Sequence, residues 1–181
     1  MNDPSTAAHL PLTATDLYAL FDQEPPELRP IDPGGVPQPY SRLLAHEDHM
    51  TVTLERHHGG PVELVVLDQR RAGPLYARKI LLLDGRRRVV QLGIMQFDFR
   101  HCGDQVRDAI LERSTPLGRI LIETGVLRRI STHQLVEIVP DDELRRHFGL
   151  SAAWPGRVYG RLATIFCHDE PAVNLLEIVP P

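Results

Sequence analysis

Two charged residues interrupt apolar strand faces in this sequence, and such positions are candidates for binding or acid–base chemistry. Alternate residues of a strand share a face, so Arg78 falls in an apolar row of one predicted strand and Glu177 in an apolar row of another. A buried ion without a partner costs several kcal/mol, so each must be paired, solvated at a strand end or part of a pocket. Their opposite charges favour a polar pocket in a mostly apolar sheet, and the same test selects Glu137 more weakly.

The remaining chemistry-bearing residues indicate no metal or cofactor site. His46 and His49 bracket two acids, but the segment lacks the spacing and the third ligand of a metal site, and we interpret both as surface histidines. Cys102 and Cys167 are far apart in sequence and are expected to be reduced thiols. The sequence contains no phosphate loop, nucleophile elbow or dinucleotide fingerprint. We therefore predict that the protein uses no metal and no cofactor.

Length and charge limit the function classes further. The chain has 181 residues and a net charge of −4, with acids and bases interspersed. This size suits one domain with a core, and the charge pattern predicts neither nucleic-acid binding nor membrane attachment. The sequence begins without the basic start of a signal peptide, and no apolar run approaches a membrane span. We expect a cytoplasmic protein, as a monomer or small homo-oligomer, that acts on a small molecule.

The chain divides into a proline-rich arm, residues 1–40, and a domain, residues 41–181. A short helix is predicted in the arm, with Thr13 or Thr15 as its N-cap, and the prolines after it exclude longer helices. We expect the arm to wrap over the domain.

The elements that must position the two charges are mainly strands. The order of the predicted elements is a short helix 42–46, strands from 51 and over 63–68, a hairpin 75–83 and 88–97, helices 105–112 and 116–125, a strand 130–139, a helix 141–148 and a hairpin 157–167 and 171–179. Asp84-Gly85 is a strong tight-turn signal for the first hairpin. Adjacent strands with short turns and no alternating strand–helix pattern predict an α+β fold with a single antiparallel β-sheet and helices packed against it.

Four segments in order resemble the chorismate pyruvate-lyase (4-hydroxybenzoate synthetase) family. The segments are Leu43-Leu44-Ala45-His46-Glu47-Asp48-His49-Met50-Thr51, Arg78-Lys79-Ile80-Leu81-Leu82, Thr115-Pro116-Leu117-Gly118-Arg119-Ile120-Leu121 and Glu177-Ile178-Val179-Pro180. The similarity covers residues 41–181 and includes Arg78 and Glu177, the two charged residues that interrupt apolar strand faces. It implies a chorismate-lyase-like fold and a carbon–oxygen lyase that converts chorismate to 4-hydroxybenzoate and pyruvate without a cofactor.

The resemblance also implies roles for individual residues. Arg78 would bind the ring carboxylate, Glu177 would bind the hydroxyl, and the backbone amides of Met50 and Leu117 would help to hold the carboxylate. Arg161 is our candidate for the enolpyruvyl carboxylate. Arg78 and Glu177 are the predicted catalytic residues, and the sequence leaves open whether Glu177 is a general base or only an anchor.

Two alternatives stand beside the lyase. The family fold also resembles effector domains of bacterial transcription regulators, so the chain could be a non-catalytic sensor domain that binds a small aromatic acid. The second strand of the first hairpin, from Val89 to Phe97, departs from the Ala-Gly-Arg-x-Val-Val-Pro of enterobacterial enzymes, which favours this alternative; the lack of a helix-turn-helix pattern before residue 41 is against it. An unrelated antiparallel α+β protein is the third reading.

Overall fold

The computed structural model describes residues 11–181, which form one seven-stranded sheet with helices on both faces. The strands are β1 (Leu28–Ile31), β2 (Glu63–Ala72), β3 (Leu75–Leu83), β4 (Val89–Asp98), β5 (Arg128–Ile138), β6 (Val158–Cys167) and β7 (Glu170–Val179). Their order across the sheet is β1-β5-β6-β7-β4-β3-β2, and every neighbouring pair is antiparallel. The predicted α+β fold with a single antiparallel sheet is confirmed.

Six α-helices are present in the described part of the chain. They are α1 (Ala14–Ala19), α2 (Tyr40–Leu44), α3 (Met50–His58), α4 (Asp104–Glu112), α5 (Leu117–Glu123) and α6 (Asp142–Phe148). Short 3-10 helices cover Pro33–Gly35 and Phe99–His101. No helix within residues 11–181 is long and apolar enough to cross a membrane.

Local signals fix several of these ends. Thr13 and Asp16 form a reciprocal capping box at the start of α1. The side chain of Asp141 accepts a hydrogen bond from the Leu144 amide and so caps α6. In the turn between β6 and β7, His168 and Asp169 both have positive φ, as tight hairpin turns require.

The structure corrects one predicted element. We expected a strand to begin at Thr51 because Thr51, Val52 and Thr53 favour strands, but these residues lie in α3. The helix is favoured over the strand because this segment packs Met50 and Leu54 onto the sheet. Gly59 ends the helix with φ of 76°, a conformation that suits glycine.

Residues 11–40 contribute to the sheet and its packing. Helix α1 packs on it, and β1 pairs with β5 as an edge strand, with Leu28 opposite Ile138. The division of the chain at residue 41 is not tested by these contacts and stays a prediction; the part of the arm before residue 11 lies outside the described residues.

Each face of the sheet has its own core. Helices α2, α3, α4 and α5 cover the face that carries Tyr76, Ile80 and Leu82 of β3. Helices α1 and α6 cover the opposite face, where the buried Lys79 contacts Glu143 and donates to Gln23 Oε1 over 2.8 Å. The first face is the one with Arg78 and Glu177, so α2 to α5 roof the candidate site.

Candidate functional site

A small cavity lies between the sheet and the N-terminal ends of α3 and α5. Its walls are His49, Met50, Thr51, Ile80, Leu82, Gln91, Met95, Pro116, Leu117, Gly118, Ile130, Arg161, Ile165, Leu175 and Glu177. Its volume of about 30 Å³ is on the scale of a water molecule. A ligand larger than that must displace a side chain or the roof.

Arg161 and Glu177 form a buried ion pair in the cavity wall. They are opposite each other on β6 and β7, and Arg161 Nε donates to Glu177 Oε2 over 2.7 Å. Arg161 is 1% exposed and Glu177 is 6% exposed. A buried pair is tolerable only when its remaining donors are satisfied, and the loop before α3 supplies acceptors. Arg161 Nη1 donates to the His46 carbonyl over 2.8 Å, and Nη2 donates to the Asp48 carbonyl over 3.0 Å.

The loop from Ala45 to His49 is thereby fastened to the sheet. His46 Nε2 bonds the Leu43 carbonyl over 2.7 Å, and His46 Nδ1 accepts from the Asp48 amide over 3.1 Å. These partners select the neutral tautomer with the proton on Nε2. Burial, and then the charge of Arg161, lower the pKa of His46.

His49 is the N-cap residue of α3 and is also held neutral. Its Nε2 accepts a hydrogen bond of 2.6 Å from Arg128 Nε. Burial and the nearby charges of Arg128 and Arg161 lower the pKa of His49 to about 4. His46 and His49 were interpreted as surface histidines; both are in fact half-buried, and each is hydrogen-bonded to an arginine.

Arg78 has a fully buried guanidinium without an acceptor. It is 0% exposed, and Nε, Nη1 and Nη2 make no hydrogen bond to any described residue. The guanidinium lies 5.2 Å from the centroid of the Phe97 ring, and Tyr76 and Phe99 extend this aromatic cluster. Burial lowers the pKa of Arg78 to about 10, so the side chain is still a cation at neutral pH.

The register places Arg78 beside the cavity. It is opposite Met95 on β4, and Met95 is opposite Leu175 on β7; both of these residues line the cavity. The next row of the same face is Ile80, Gly93 and Glu177. Arg78 and Glu177 therefore lie on one face in adjacent rows, about 6.7 Å apart along the strands.

Gly93 leaves a gap in the cavity floor that neighbouring side chains fill. A Cβ on Gly93 would lie 3.1 Å from Ile80 Cγ1, 3.2 Å from Gln91 Nε2 and 3.3 Å from Met95 Cε. The Met95 side chain thus leans from the Arg78 row towards the row of Gly93 and Glu177. Gln91 is 1% exposed, and its Oε1 has no hydrogen-bond partner in residues 11–181.

The structure brings the predicted site residues together. Met50, Leu117, Arg161 and Glu177 all line the cavity, and Arg78 is paired with the lining residue Met95. Arg161, our candidate for the enolpyruvyl carboxylate, uses all three nitrogens on Glu177 and the loop, and the role assigned to it stays a prediction.

The backbone of the roof is closely packed above these residues. A Cβ on Gly118 would lie 2.8 Å from Thr51 Oγ1, so glycine permits α5 to approach α3. The roles assigned to the Met50 and Leu117 amides are not tested by these contacts and stay predictions. Within residues 11–181 no three His, Cys, Asp or Glu side chains are grouped to hold a metal ion.

Two other regions are weaker candidates. Glu137 lies towards the β1 edge, where it accepts from Arg29 Nε over 2.8 Å and from the Tyr159 hydroxyl over 3.3 Å. An open groove of about 680 Å³ runs past Ile31, His46 and Leu135. None of the groove residues carries a buried polar atom without a partner among the described residues, whereas the cavity has Gln91 in its wall and Arg78 beside it.

The comparisons with known proteins give a fold. No protein-family description and no curated protein matches the sequence. The crystal structure of PhnF from Mycobacterium smegmatis matches 73% of this chain with a TM-score of 0.54 and 12% identity, and the match spans 63% of the PhnF chain. The effector domain of PhnF matches 74% of this chain and 88% of its own length, with a TM-score of 0.53 and 11% identity. The ligand-binding domain of a putative GntR-family transcriptional regulator from Bordetella bronchiseptica gives a TM-score of 0.49 at 16% identity over 65% of this chain and 85% of that one.

The chain has a chorismate-lyase-like fold. The resemblance that predicted this fold was correct at that level, but the lyase itself is not supported by any sequence match. We correct the prediction of a chorismate lyase that forms 4-hydroxybenzoate and pyruvate, because no sequence match supports it and the solved structures that share the fold are PhnF and its effector domain rather than a lyase.

Proposed function

We propose that this domain is a non-catalytic sensor that binds a small aromatic acid in the cavity, with the ligand carboxylate on Arg78. The observation that carries the proposal is the buried guanidinium of Arg78, which has no acceptor among residues 11–181. A buried cation without an acceptor is costly, so its retention needs a compensating role. A carboxylate satisfies a guanidinium best, because two parallel hydrogen bonds can form.

The other walls suit a ring. Ile80, Leu82, Ile165 and Leu175 supply apolar surface, and the floor at Gly93 is free of a side chain. Ligand pockets typically combine such apolar walls with a few placed polar groups. The PhnF domain with the same fold is named an effector domain, which supports a sensing role.

Met95 supplies a route between the present cavity and Arg78. Methionine is unbranched and flexible, so it can leave the floor at little cost in strain. Its movement would join the space over Gly93 to Arg78, and a ligand ring would replace the apolar contacts that Met95 gives up.

Isothermal titration calorimetry with benzoate, and with its neutral isostere benzamide, tests the proposal. Benzoate should bind and benzamide should not, and Arg78→Met should weaken benzoate by tens-fold or more, since losing one partner of a buried charged contact costs about 2 to 5 kcal/mol. Arg71→Met, at an exposed position of β2, is the matched control.

Two results would overturn the proposal. One is a wild-type protein that binds no aromatic acid, or binds benzamide as tightly as benzoate. The other is release of pyruvate from chorismate by the purified protein, which would restore catalysis.

A further inference from the structure

The chain has two cysteines, and the fold brings them together although they are far apart in sequence. Cys167 is the last residue of β6 and is opposite Glu170, the first residue of β7. Cys102 directly follows the short helix Phe99–His101, and His101 Nδ1 lies 3.9 Å from Glu170 Oε2. Both cysteines pack in the same apolar cluster as free thiols, and the two thiols are hydrogen-bonded to each other.

The two sulfurs differ in access and in acidity. Cys167 is 2% exposed, whereas Cys102 is only partly buried. The hydrogen bond from the Cys102 thiol lowers the pKa of Cys167 against the effect of burial, and the charge of Arg128, opposite it on β5, lowers it further. The same hydrogen bond, together with burial, raises the pKa of Cys102. The pair therefore loses its first proton as a unit, and the proton that remains is shared between the two sulfurs.

We infer that Cys102 and Cys167 form a reversible intramolecular disulfide when the protein meets a small disulfide oxidant such as glutathione disulfide. The two sulfurs must close from hydrogen-bond contact to the S–S bond length of about 2.05 Å. Cys102 lies in the connection between the short helix and α4, with Gly103 after it, so the backbone there can make this shift. The inference does not depend on the ligand proposed for the cavity.

The exchange has two steps, and the thiolate is the nucleophile in each. The Cys102 sulfur, which is the one nearer to solvent, attacks one sulfur of glutathione disulfide, and one glutathione thiolate leaves. Cys167 then gives its proton to water, its thiolate attacks the Cys102 sulfur, and the second glutathione thiolate leaves. The two protein thiols are oxidised to one disulfide, and the glutathione disulfide is reduced to two glutathione molecules.

The new bond would fasten the roof of the cavity to the sheet. Cys102 lies two residues before α4, one of the roof helices, and Cys167 ends β6. A disulfide that closes a long loop stabilises the fold mainly by restricting the unfolded chain. The oxidised protein should therefore unfold at a temperature about 5 to 15 °C higher than the reduced protein.

Intact mass measurements on the purified wild-type protein test the inference. The protein is equilibrated without oxygen in mixtures of reduced and oxidised glutathione, and the exchange is stopped with acid. We expect one product that is lighter by two hydrogen atoms, and digestion without reductant should join the Cys102 peptide to the Cys167 peptide. Dithiothreitol should restore the original mass, and thermal unfolding of both forms measures the stabilisation.

Cys167→Ala is the matched variant, because it keeps the more accessible thiol and removes the one that completes the exchange. It should stop at the mixed disulfide, as a product heavier by one glutathione group. Cys102→Ala keeps only the buried thiol and should react much more slowly with glutathione disulfide. Cys167→Ser replaces Cys167→Ala if that variant does not fold, and the wild-type measurement needs neither variant.

Three results would overturn the inference. One is a wild-type protein that keeps both thiols free or ends as a stable mixed disulfide with glutathione. Another is a disulfide between two copies of the chain, seen as a covalent dimer on a non-reducing gel. The third is an intramolecular disulfide that leaves the unfolding temperature unchanged or lowers it, because the two sulfurs are then not placed for the bond in the native fold.

Discussion

Arg78 and Met95 face each other across β3 and β4, and the terminal methyl group of Met95 leans towards Gly93. Arg78 is fully buried, yet its guanidinium has no acceptor among the described residues. On the same face, Arg161 makes hydrogen bonds with every guanidinium nitrogen. One arginine is therefore fully bonded within the fold, and the other has no acceptor in the described part of the chain.

Met95→Ala should bind benzoate more tightly than wild type does. Removing the side chain leaves the space that a ligand ring needs, so the protein no longer has to displace Met95 before binding. The same change removes buried apolar contacts and should lower the free energy of unfolding by about 2 to 5 kcal/mol. Calorimetry and urea denaturation measure the two effects.

Leu92→Ala is the control for Met95→Ala. Leu92 is fully buried on the opposite face of β4, so its truncation should destabilise the fold to a similar extent and leave benzoate affinity unchanged. Equal affinity in Met95→Ala and wild type would show that Met95 does not obstruct the site.

Arg78→Met should raise the free energy of unfolding while it removes benzoate binding. The folded state at neutral pH keeps a buried charge without an acceptor, and burial lowers its pKa to about 10. Replacing such a charge by an apolar side chain is neutral or stabilising by about 1 to 4 kcal/mol. Urea denaturation at pH 7 measures the difference.

Arg161→Met should have the opposite effect on stability. It leaves Glu177 without its cation and frees the carbonyls of His46 and Asp48, and breaking a buried pair costs about 3 to 5 kcal/mol. If both arginine substitutions destabilise the protein equally, Arg78 has a partner in the folded state that the described contacts do not contain.

Gly93→Ala should weaken benzoate binding while the fold is kept. The added methyl group would lie 3.1 to 3.3 Å from Ile80, Gln91 and Met95, all of them side-chain atoms that can shift. The floor would then be raised where the ring must lie, and overpacking of about 1 to 3 kcal/mol corresponds to a loss of about fivefold or more. Gly60→Ala, where an added Cβ meets nothing within 4 Å, is the control for calorimetry.

Acid should destabilise the protein through His49. The folded-state pKa of His49 is lowered to about 4, whereas an unfolded histidine titrates near 6.5. The unfolded state therefore binds a proton first as the pH falls, so this contribution to stability is intact above 6.5 and is lost progressively down to pH 4. Thermal unfolding between pH 7 and 4 should show a shallower decline for His49→Gln than for wild type. His57→Gln, at an exposed position of α3, should decline as wild type does.

Local signals in the sequence located β2 to β7 but neither β1 nor the order of the strands. Asp84-Gly85 identifies the first hairpin, the runs 157–167 and 171–179 identify the second, and alternation places Arg78 and Glu177 in apolar rows. The insertion of β7 between β6 and β4 pairs residues about eighty positions apart, and no local pattern reports it.

The site was predicted in part for the same reason. Arg78 and Glu177, which were selected because they interrupt apolar strand faces, do lie on one face of the sheet. The pairing of Glu177 with Arg161 depends on the register between β6 and β7. No local sequence pattern predicts the arginine contacts of His46 and His49, because those contacts depend on where α3 packs in the fold. Gln91 could have been found, since it interrupts the apolar run of β4 between Val90 and Leu92.

Strand β7 is the central strand of the sheet and joins its two halves. The ladder runs β1-β5-β6 on one side of it and β4-β3-β2 on the other, so within the sheet the two three-stranded halves meet only through β7. Arg161 belongs to the first half, Arg78 and Gln91 belong to the second, and Glu177 lies on β7 itself. A ligand that bonds to these side chains would connect the two halves of the sheet through the cavity. Binding of a molecule no larger than one ring would then restrict the motion of one half relative to the other.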